Sequence, residues 1–375
     1  MTTSPTTALV LSGGGARAAY QVGVLKAVSE LLPRRTHNPF PIICGTSAGA
    51  INALAIAGRP GYLRLRIRKL ESVWSNVRAE DIYRTDILGV AKNTSRLLLS
   101  LMHSGYSKKR SIALLDNSPL RELLQQLVRF RYIDEAIASG ELLAVSTTAM
   151  DYGNGRSVTF FQGNHDSWQR SRRMGIRSGL SIDHLMASSA IPTIFPATAI
   201  DKSYYGDGAV RQLKPLSPAL RLGADKLFIV GVSDNPVHID AAKVAAHPPS
   251  VAQMISQLLN SAFIDSIESD LETLQSINRM AREMPEQTKA NNRRYVDYVC
   301  ISPSAPINEI AQQYVDELPL SLRIFLRAIG ATEKGGGTSA ASYLLFEPGF
   351  CRELLSLGYR DALQQEEKIL SFFQS

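Results

Sequence analysis

Ser47 stands in Gly45-Thr46-Ser47-Ala48-Gly49, between the short apolar run Pro41-Ile42-Ile43-Cys44 and the small-residue stretch Ala50–Ala57. A hydroxyl is a weak nucleophile until a base takes its proton and donors hold the charge that develops on the carbonyl it attacks. Glycine two residues to either side lets the chain turn tightly around Ser47 without a Cβ clash. Such a turn lifts the hydroxyl off a strand end and sets it at a helix N-terminus, among free N–H groups. A nucleophilic serine is one reading; a tight turn of small residues that happens to contain serine is the other.

Gly13-Gly14-Gly15-Ala16-Arg17 follows the apolar run Thr7–Ser12. Three glycines before a helix expose backbone N–H groups in one direction, which makes an anion cradle. A phosphate-binding loop would add Lys-Ser/Thr, which is missing, and the G-x-G-x-x-G frame fails at Ala18. A bland tight turn and an oxyanion hole for Ser47 remain, with Arg17 adding positive field to the second. Downstream, Tyr204-Tyr205-Gly206-Asp207-Gly208-Ala209-Val210 reads locally as a hairpin turn at Asp-Gly. Of the six histidines only His238 and His247 follow both Asp207 and Asp234, the order an α/β-hydrolase triad requires. Both lie in a Pro- and Ala-rich connector and read more simply as surface residues.

Strand-like runs at Thr7–Ser12, Pro41–Cys44, Glu141–Met150, Ser157–Phe161, Leu227–Val232 and Tyr295–Ile301 alternate with helical patterns. That alternation indicates an α/β core on a mostly parallel sheet. Pro33 closes the first helix. Tyr62–Val77 is helical, with Arg64, Arg66, Arg68 and Lys69 as a solvated face. Ser118-Pro119 opens a helix through Leu127, Val251–Met280 is a long helical pattern, and the tail from Ser342 to Phe373 is helical. Leu97–Met102 followed by Lys108-Lys109-Arg110 reads either as a core helix with a basic loop or as an interfacial element. Arg170, Arg172, Arg173 and Arg177 form a second basic cluster, again solvated.

The chain has 375 residues, 45% of them hydrophobic and 20% charged, as in an ordinary soluble protein. Its net charge of +7 favours anionic surfaces but is too sparse for a nucleic-acid binder. Cys44, Cys300 and Cys351 form no C-x-x-C pair, which argues against a disulfide framework or a zinc site. The N-terminal residues lack the pattern of a signal peptide, and the stretch 36–58 is too broken by proline and glycine to span a bilayer. A cytoplasmic protein is expected, peripheral at most on the inner face of a membrane.

Taken together, Gly13–Arg17, Gly45–Gly49 and Asp207-Gly208-Ala209, each in its place along the chain, resemble the patatin-like phospholipases. Ala187-Ser188-Ser189-Ala190-Ile191-Pro192-Thr193-Ile194-Phe195-Pro196 is also similar to that family, and Asp116–Leu120 and Ser342–Glu347 more loosely to its bacterial members. The resemblance implies a three-layer α/β/α core with a helical C-terminal extension. The division expected is an acyl hydrolase domain over 1–235 and a mainly helical segment over 236–375 packed on it. It further implies a Ser-Asp dyad without histidine or cofactor: Ser47 as nucleophile, Asp207 as proton acceptor, and Gly13, Gly14, Gly15 and Ala48 as the oxyanion hole. Arg17, Gly45, Gly49 and Gly208 would support them, and the substrate would be a lipid or phospholipid. Two alternatives stand beside it: a Ser-His-Asp esterase, and a non-catalytic protein that grips anionic membranes. The family usually carries glycine where this chain has Ala18, and a positive φ there would cost about 1 kcal/mol.

Overall fold

The computed structural model describes residues 5–86, 89, 93–95, 113–233, 254, 257, 261, 265–290, 293–328 and 338–374. Among the described residues ten strands form one sheet: β1 (Thr7–Leu11), β2 (Ile42–Thr46), β3 (Ala144–Asp151), β4 (Ser157–Gly163), β5 (Trp168–Gln169), β6 (Arg173–Arg177), β7 (Thr198–Ile200), β8 (Ser203–Asp207), β9 (Lys226–Val230) and β10 (Asp297–Ile301). Their order is β10-β9-β1-β2-β3-β4-β6-β5. The five strands from β10 to β3 are mutually parallel, β4 runs antiparallel to β3, and β7 and β8 make a hairpin. The sheet is therefore mixed, with a parallel half that carries the loops of interest.

The parallel strands are buried on both faces, and their side chains alternate between two cores. Leu9, Leu11, Ile43 and Val145 face one, which also takes α1 (Ala19–Leu31), α2 (Ala48–Ala57), α3 (Leu63–Trp74) and the Pro348–Leu363 helix. Ala8, Val10, Ile42 and Cys44 face the other, closed by Ser217–Arg221 and Asp265–Glu283. Helices on both faces of a sheet make the α/β/α layering expected of near-continuous apolar strands. Beyond residue 235 the chain is not only helical: β10 pairs with β9 and extends the same sheet.

One detail of register positions the site. Along one edge of β3, Thr46 of β2 lies opposite Thr148, and Asp207 of β8 lies opposite Ala149. β2 leaves the sheet at Thr46, and β8 takes its place beside the next residue of β3. The end of β8 is thus held against the first residue after β2, which is Ser47.

The basic face of α3 differs from expectation. Arg64 donates from Nε to Ser29 O (2.7 Å) and from Nη2 to Glu30 O (2.6 Å), at the end of α1. Arg66 is buried, pairs with Glu141, and donates from Nη1 to Ile56 O (3.4 Å) near the end of α2. Helix C-termini present carbonyls without intrahelical donors, and these two guanidinium groups supply them; Arg68 and Lys69 are exposed. The helical tail is broken at Leu345–Glu347, with Pro348 in the first turn of the next helix. Leu97–Met102, Lys108–Arg110 and much of Val251–Met280 lie outside the described residues, as do His103, Asp234, His238 and His247. Among the described residues no helix is long and apolar enough to cross a membrane.

Candidate active site

Ser47 occupies the turn between β2 and α2 with φ 54 and ψ −129, a left-handed backbone that a residue with a Cβ rarely adopts. The turn is held from three sides. Ser47 N donates to Ser188 Oγ (2.9 Å), and Ser188 Oγ donates in turn to Thr148 O (2.6 Å). Gly49 lies so close to β1 that a Cβ there would stand 2.3 Å from Ser12 O. Across the turn, a Cβ on Gly45 would meet Gly49 O at 2.4 Å. Both glycines are therefore required by contact as well as by the turn.

Ser47 Oγ donates to Asp207 Oδ2 at 2.5 Å, and both residues are buried. The other carboxylate oxygen accepts from Ala209 N (2.9 Å), while Asp207 N donates to Ala190 O (2.8 Å). A Cβ on Gly208 would fall 2.1 Å from Thr148 O, so this corner fits only glycine. The local reading of Asp207-Gly208 as a hairpin turn fails. The β7–β8 hairpin turns at Asp201-Lys202, and Asp207 ends β8 and caps a 3-10 turn, Gly208–Val210. Burial pushes the Asp207 carboxyl up to about 7; the hydrogen bonds from Ser47 and Ala209 act the other way and do not offset it. A carboxylate with that affinity can take a proton from a bound hydroxyl near neutral pH far better than one at about 3.9.

The glycine loop leaves the end of β1. Gly15 has φ 55 and opens a 3-10 turn, Gly15–Ala18, that runs into α1. Ala18 has φ −66, so the expected strain is absent: the left-handed residue is Gly15, and the chain is already right-handed where Ala18 sits. A Cβ on Gly14 would fall 2.4 Å from Val232 Cγ2, and one on Gly15 would fall 2.1 Å from Tyr343 O. Arg17 is buried and turned away from the cradle. Its Nε donates to Ser342 Oγ (2.8 Å), its Nη2 to Asn308 Oδ1 (2.6 Å), and it stacks 4.3 Å from the Tyr343 ring centroid. Arg17 thus ties the loop to the C-terminal segment instead of lending its charge to the space above Ser47.

Gly15, Ser47 and Ala48 line a narrow channel that is partly open to solvent. Its walls are almost wholly apolar: Trp74, Ile82, Leu120, Leu127, Phe195 and Phe346 among others. Tyr343 also lines it, so the C-terminal segment supplies part of the wall, and Trp74 stacks on Phe346 at 6.2 Å. Trp74 Nε1 donates to Asn52 Oδ1 (2.8 Å) and Asn52 Nδ2 to Ala18 O (3.1 Å), which links the wall, α2 and the glycine loop.

Sequence reasoning did not single out Ser188, Tyr343 or Phe346 for these places. Ser188 lay inside a recognised run, and Tyr343 and Phe346 inside Ser342–Glu347, a run that gave no role to either ring. Of the described histidines, His184 bonds to Ser181 through Nδ1 and packs on Phe160. Among the described residues no group of three or more His, Cys, Asp or Glu could hold a metal ion.

On a three-layer α/β/α scaffold, a serine elbow, a buried aspartate bonded to it and a glycine loop come together beside one apolar pocket. The pattern of the patatin-like phospholipase family matches residues 9–220, more than half of the chain, and the chain belongs to that family. It is 30% identical over 207 residues to a cGAMP-activated phospholipase of Pseudomonas aeruginosa, covering 54% of this chain and 52% of that protein. It is 27% identical over 226 residues to uncharacterized protein YjjU of Escherichia coli, covering 60% and 51%. To the calcium-independent phospholipase A2-gamma of Oryctolagus cuniculus it is 23% identical over 215 residues, covering 56% and 25%. The chain thus spans about half the length of the two bacterial relatives and a quarter of the third.

Proposed function

We propose that this protein hydrolyses fatty-acyl esters of phospholipids or related lipids, with Ser47 as nucleophile and Asp207 as its proton acceptor. The observation that carries the reading is the 2.5 Å hydrogen bond between two buried groups, Asp207 and the Ser47 that lines an apolar channel. Ser47 Oγ attacks the acyl carbonyl carbon and its proton passes to Asp207 Oδ2. N–H groups of Gly13, Gly14, Gly15 and Ala48 hold the oxyanion, and Asp207 returns the proton to the departing alcohol. Water, deprotonated by the same carboxylate, then attacks the acyl-enzyme and releases the fatty acid. The channel favours long acyl chains, since each methylene withdrawn from water contributes about 0.8 kcal/mol.

Electrostatic stabilisation by the glycine loop is the larger part of the expected rate, so its geometry should be sensitive. Gly15→Ala adds a Cβ at φ 55 against Tyr343 O. It is expected to lower kcat by about 10²-fold or more, as loss of one oxyanion donor does, and to lower the unfolding midpoint as well. Steady-state kinetics and calorimetry on the same variant read both effects.

The hydrolase reading is tested by incubating the full chain with diacyl phospholipid vesicles and measuring free fatty acid. Release is expected from the parent and, undiminished, from His238→Gln and His247→Gln. No release would remove the enzyme reading. Loss of release in a histidine variant that still folds would replace the dyad with a triad.

A further inference from the structure

The turn after β3 rises from the same edge of the sheet as the glycine loop and Ser47, because β1, β2 and β3 are parallel and all end there. On that turn and the neighbouring β8 segment, large apolar side chains stand in solvent: Tyr152 is 47% exposed, Tyr204 58%, Val210 38% and Leu213 59%. They are adjoining. Tyr152 N donates to Tyr204 O (3.0 Å), and a Cβ on Gly206 would lie 2.8 Å from Tyr152 Oη. Val210 and Leu213 flank Arg211, whose Nε donates to Gly155 O (2.8 Å) of the same turn. Arg156 adds a second cation; of the nearby acids Asp151 and Asp207 are buried, the former accepting from Gly153 N and Asn154 Nδ2, while Asp201 is exposed beside Lys202 at the β7–β8 turn. Asp207 lies opposite Ala149 of β3, so the patch stands on the edge of the sheet where the Ser47–Asp207 bond is made.

We propose that this patch, on the same sheet edge as Ser47, is a docking surface for an anionic phospholipid bilayer. Tyrosines with an apolar ring and a polar tip suit the headgroup level. Leu213 and Val210 would dip below that level, and Arg156 and Arg211 would meet phosphates. An aqueous protein partner would leave the pairing of cations with exposed apolar groups without a counterpart; a bilayer supplies both in one plane.

The test is co-sedimentation of the full chain with vesicles of ether-linked phosphatidylcholine, with and without ether-linked phosphatidylglycerol. Ether lipids offer no ester to cleave, so the result stands whether or not Ser47 acts as proposed. Phosphatidylglycerol vesicles should capture the parent and phosphatidylcholine alone should capture much less. Tyr204→Ala with Leu213→Ser should weaken capture about tenfold. Arg156→Glu with Arg211→Glu should weaken it at least as much, at about fivefold per cation, and only for the anionic vesicles. Leu65→Ser and Leu143→Ser serve as controls: they are 52% and 40% exposed but belong to the opposite edge, where Leu63 N, in the same turn of α3 as Leu65, donates to Thr36 O and Leu143 N, just before β3, to Pro41 O. Unchanged unfolding midpoints establish that each variant is folded. Capture equal for parent and patch variants, equal for the two vesicle types, or lost equally in the controls would overturn the assignment.

Discussion

Ser47→Ala is expected to reduce turnover of a fatty-acyl ester by on the order of 10⁴-fold or more, as removal of a catalytic serine does in other hydrolases. The variant keeps the elbow, since Ser47 N still donates to Ser188 Oγ and the glycines at 45 and 49 still fit their contacts. What it loses is the attacking oxygen. It also removes the hydrogen bond that favours ionised Asp207, so the carboxyl of the variant should titrate higher still. Substrate capture by the channel does not depend on the hydroxyl. The loss should therefore appear in kcat, with KM changed little, in steady-state assays on a soluble ester.

Asp207→Asn should lose activity on a similar scale, about 10⁴-fold, because an amide cannot take the serine proton. Its effect on stability runs the opposite way. The carboxyl titrates at 3.8 when unperturbed and at about 7 in the fold, where burial disfavours the charged form. Between those values the folded state holds a proton that the unfolded state has released. Folding stability from this group is therefore complete below the unfolded value and is lost as pH rises through the folded value. Asparagine has no charge to bury, so the variant should be more stable than the parent above about pH 7. The advantage should shrink as pH falls and vanish by about pH 3. Thermal unfolding of both proteins across that range reads it. The same titration gives the parent an acid limb in kcat/KM with an apparent pKa near 7, since only ionised Asp207 accepts the proton.

A variant that is inert but more stable separates a functional aspartate from a structural one. Were Asp207 there to hold β8 in place, its replacement would cost stability at every pH. Instead a buried carboxylate without a cationic hydrogen-bond partner is strained in the fold, and such strain belongs to sites where the group has another task.

The parts legible in the sequence are those fixed by neighbours along the chain. Gly45 and Gly49 around Ser47 announce a strand, a turn and a helix because the turn itself needs them, although Gly49 is also required by its contact with Ser12 after β1. The unbroken apolar run Ala8-Leu9-Val10-Leu11 foretells a strand buried on both faces, and the two cores take alternate residues. The partner of Ser47 is not legible in that way. Asp207 arrives from 160 residues downstream, and its place depends on β8 docking on β3 where β2 stops. Read locally, Asp-Gly is a turn; only similarity to a family moved it to the site. The cations show a related limit. Arg17, Arg64 and Arg66 look like surface charge or positive field in sequence, yet each is spent on partners distant in the chain. Tyr343 and Phe346 line the channel across nearly the whole length of the chain, and no periodicity could place them there.

The central claim is that Ser47 is a nucleophile activated by Asp207. Treatment of the full chain with an alkyl fluorophosphonate, followed by peptide mass spectrometry, tests it most directly, because the probe forms a bond only with an activated hydroxyl. The account predicts a single adduct on Ser47, absent from Ser47→Ala and strongly slowed in Asp207→Asn. An unlabelled Ser47, or labelling at full rate in Asp207→Asn, would contradict it.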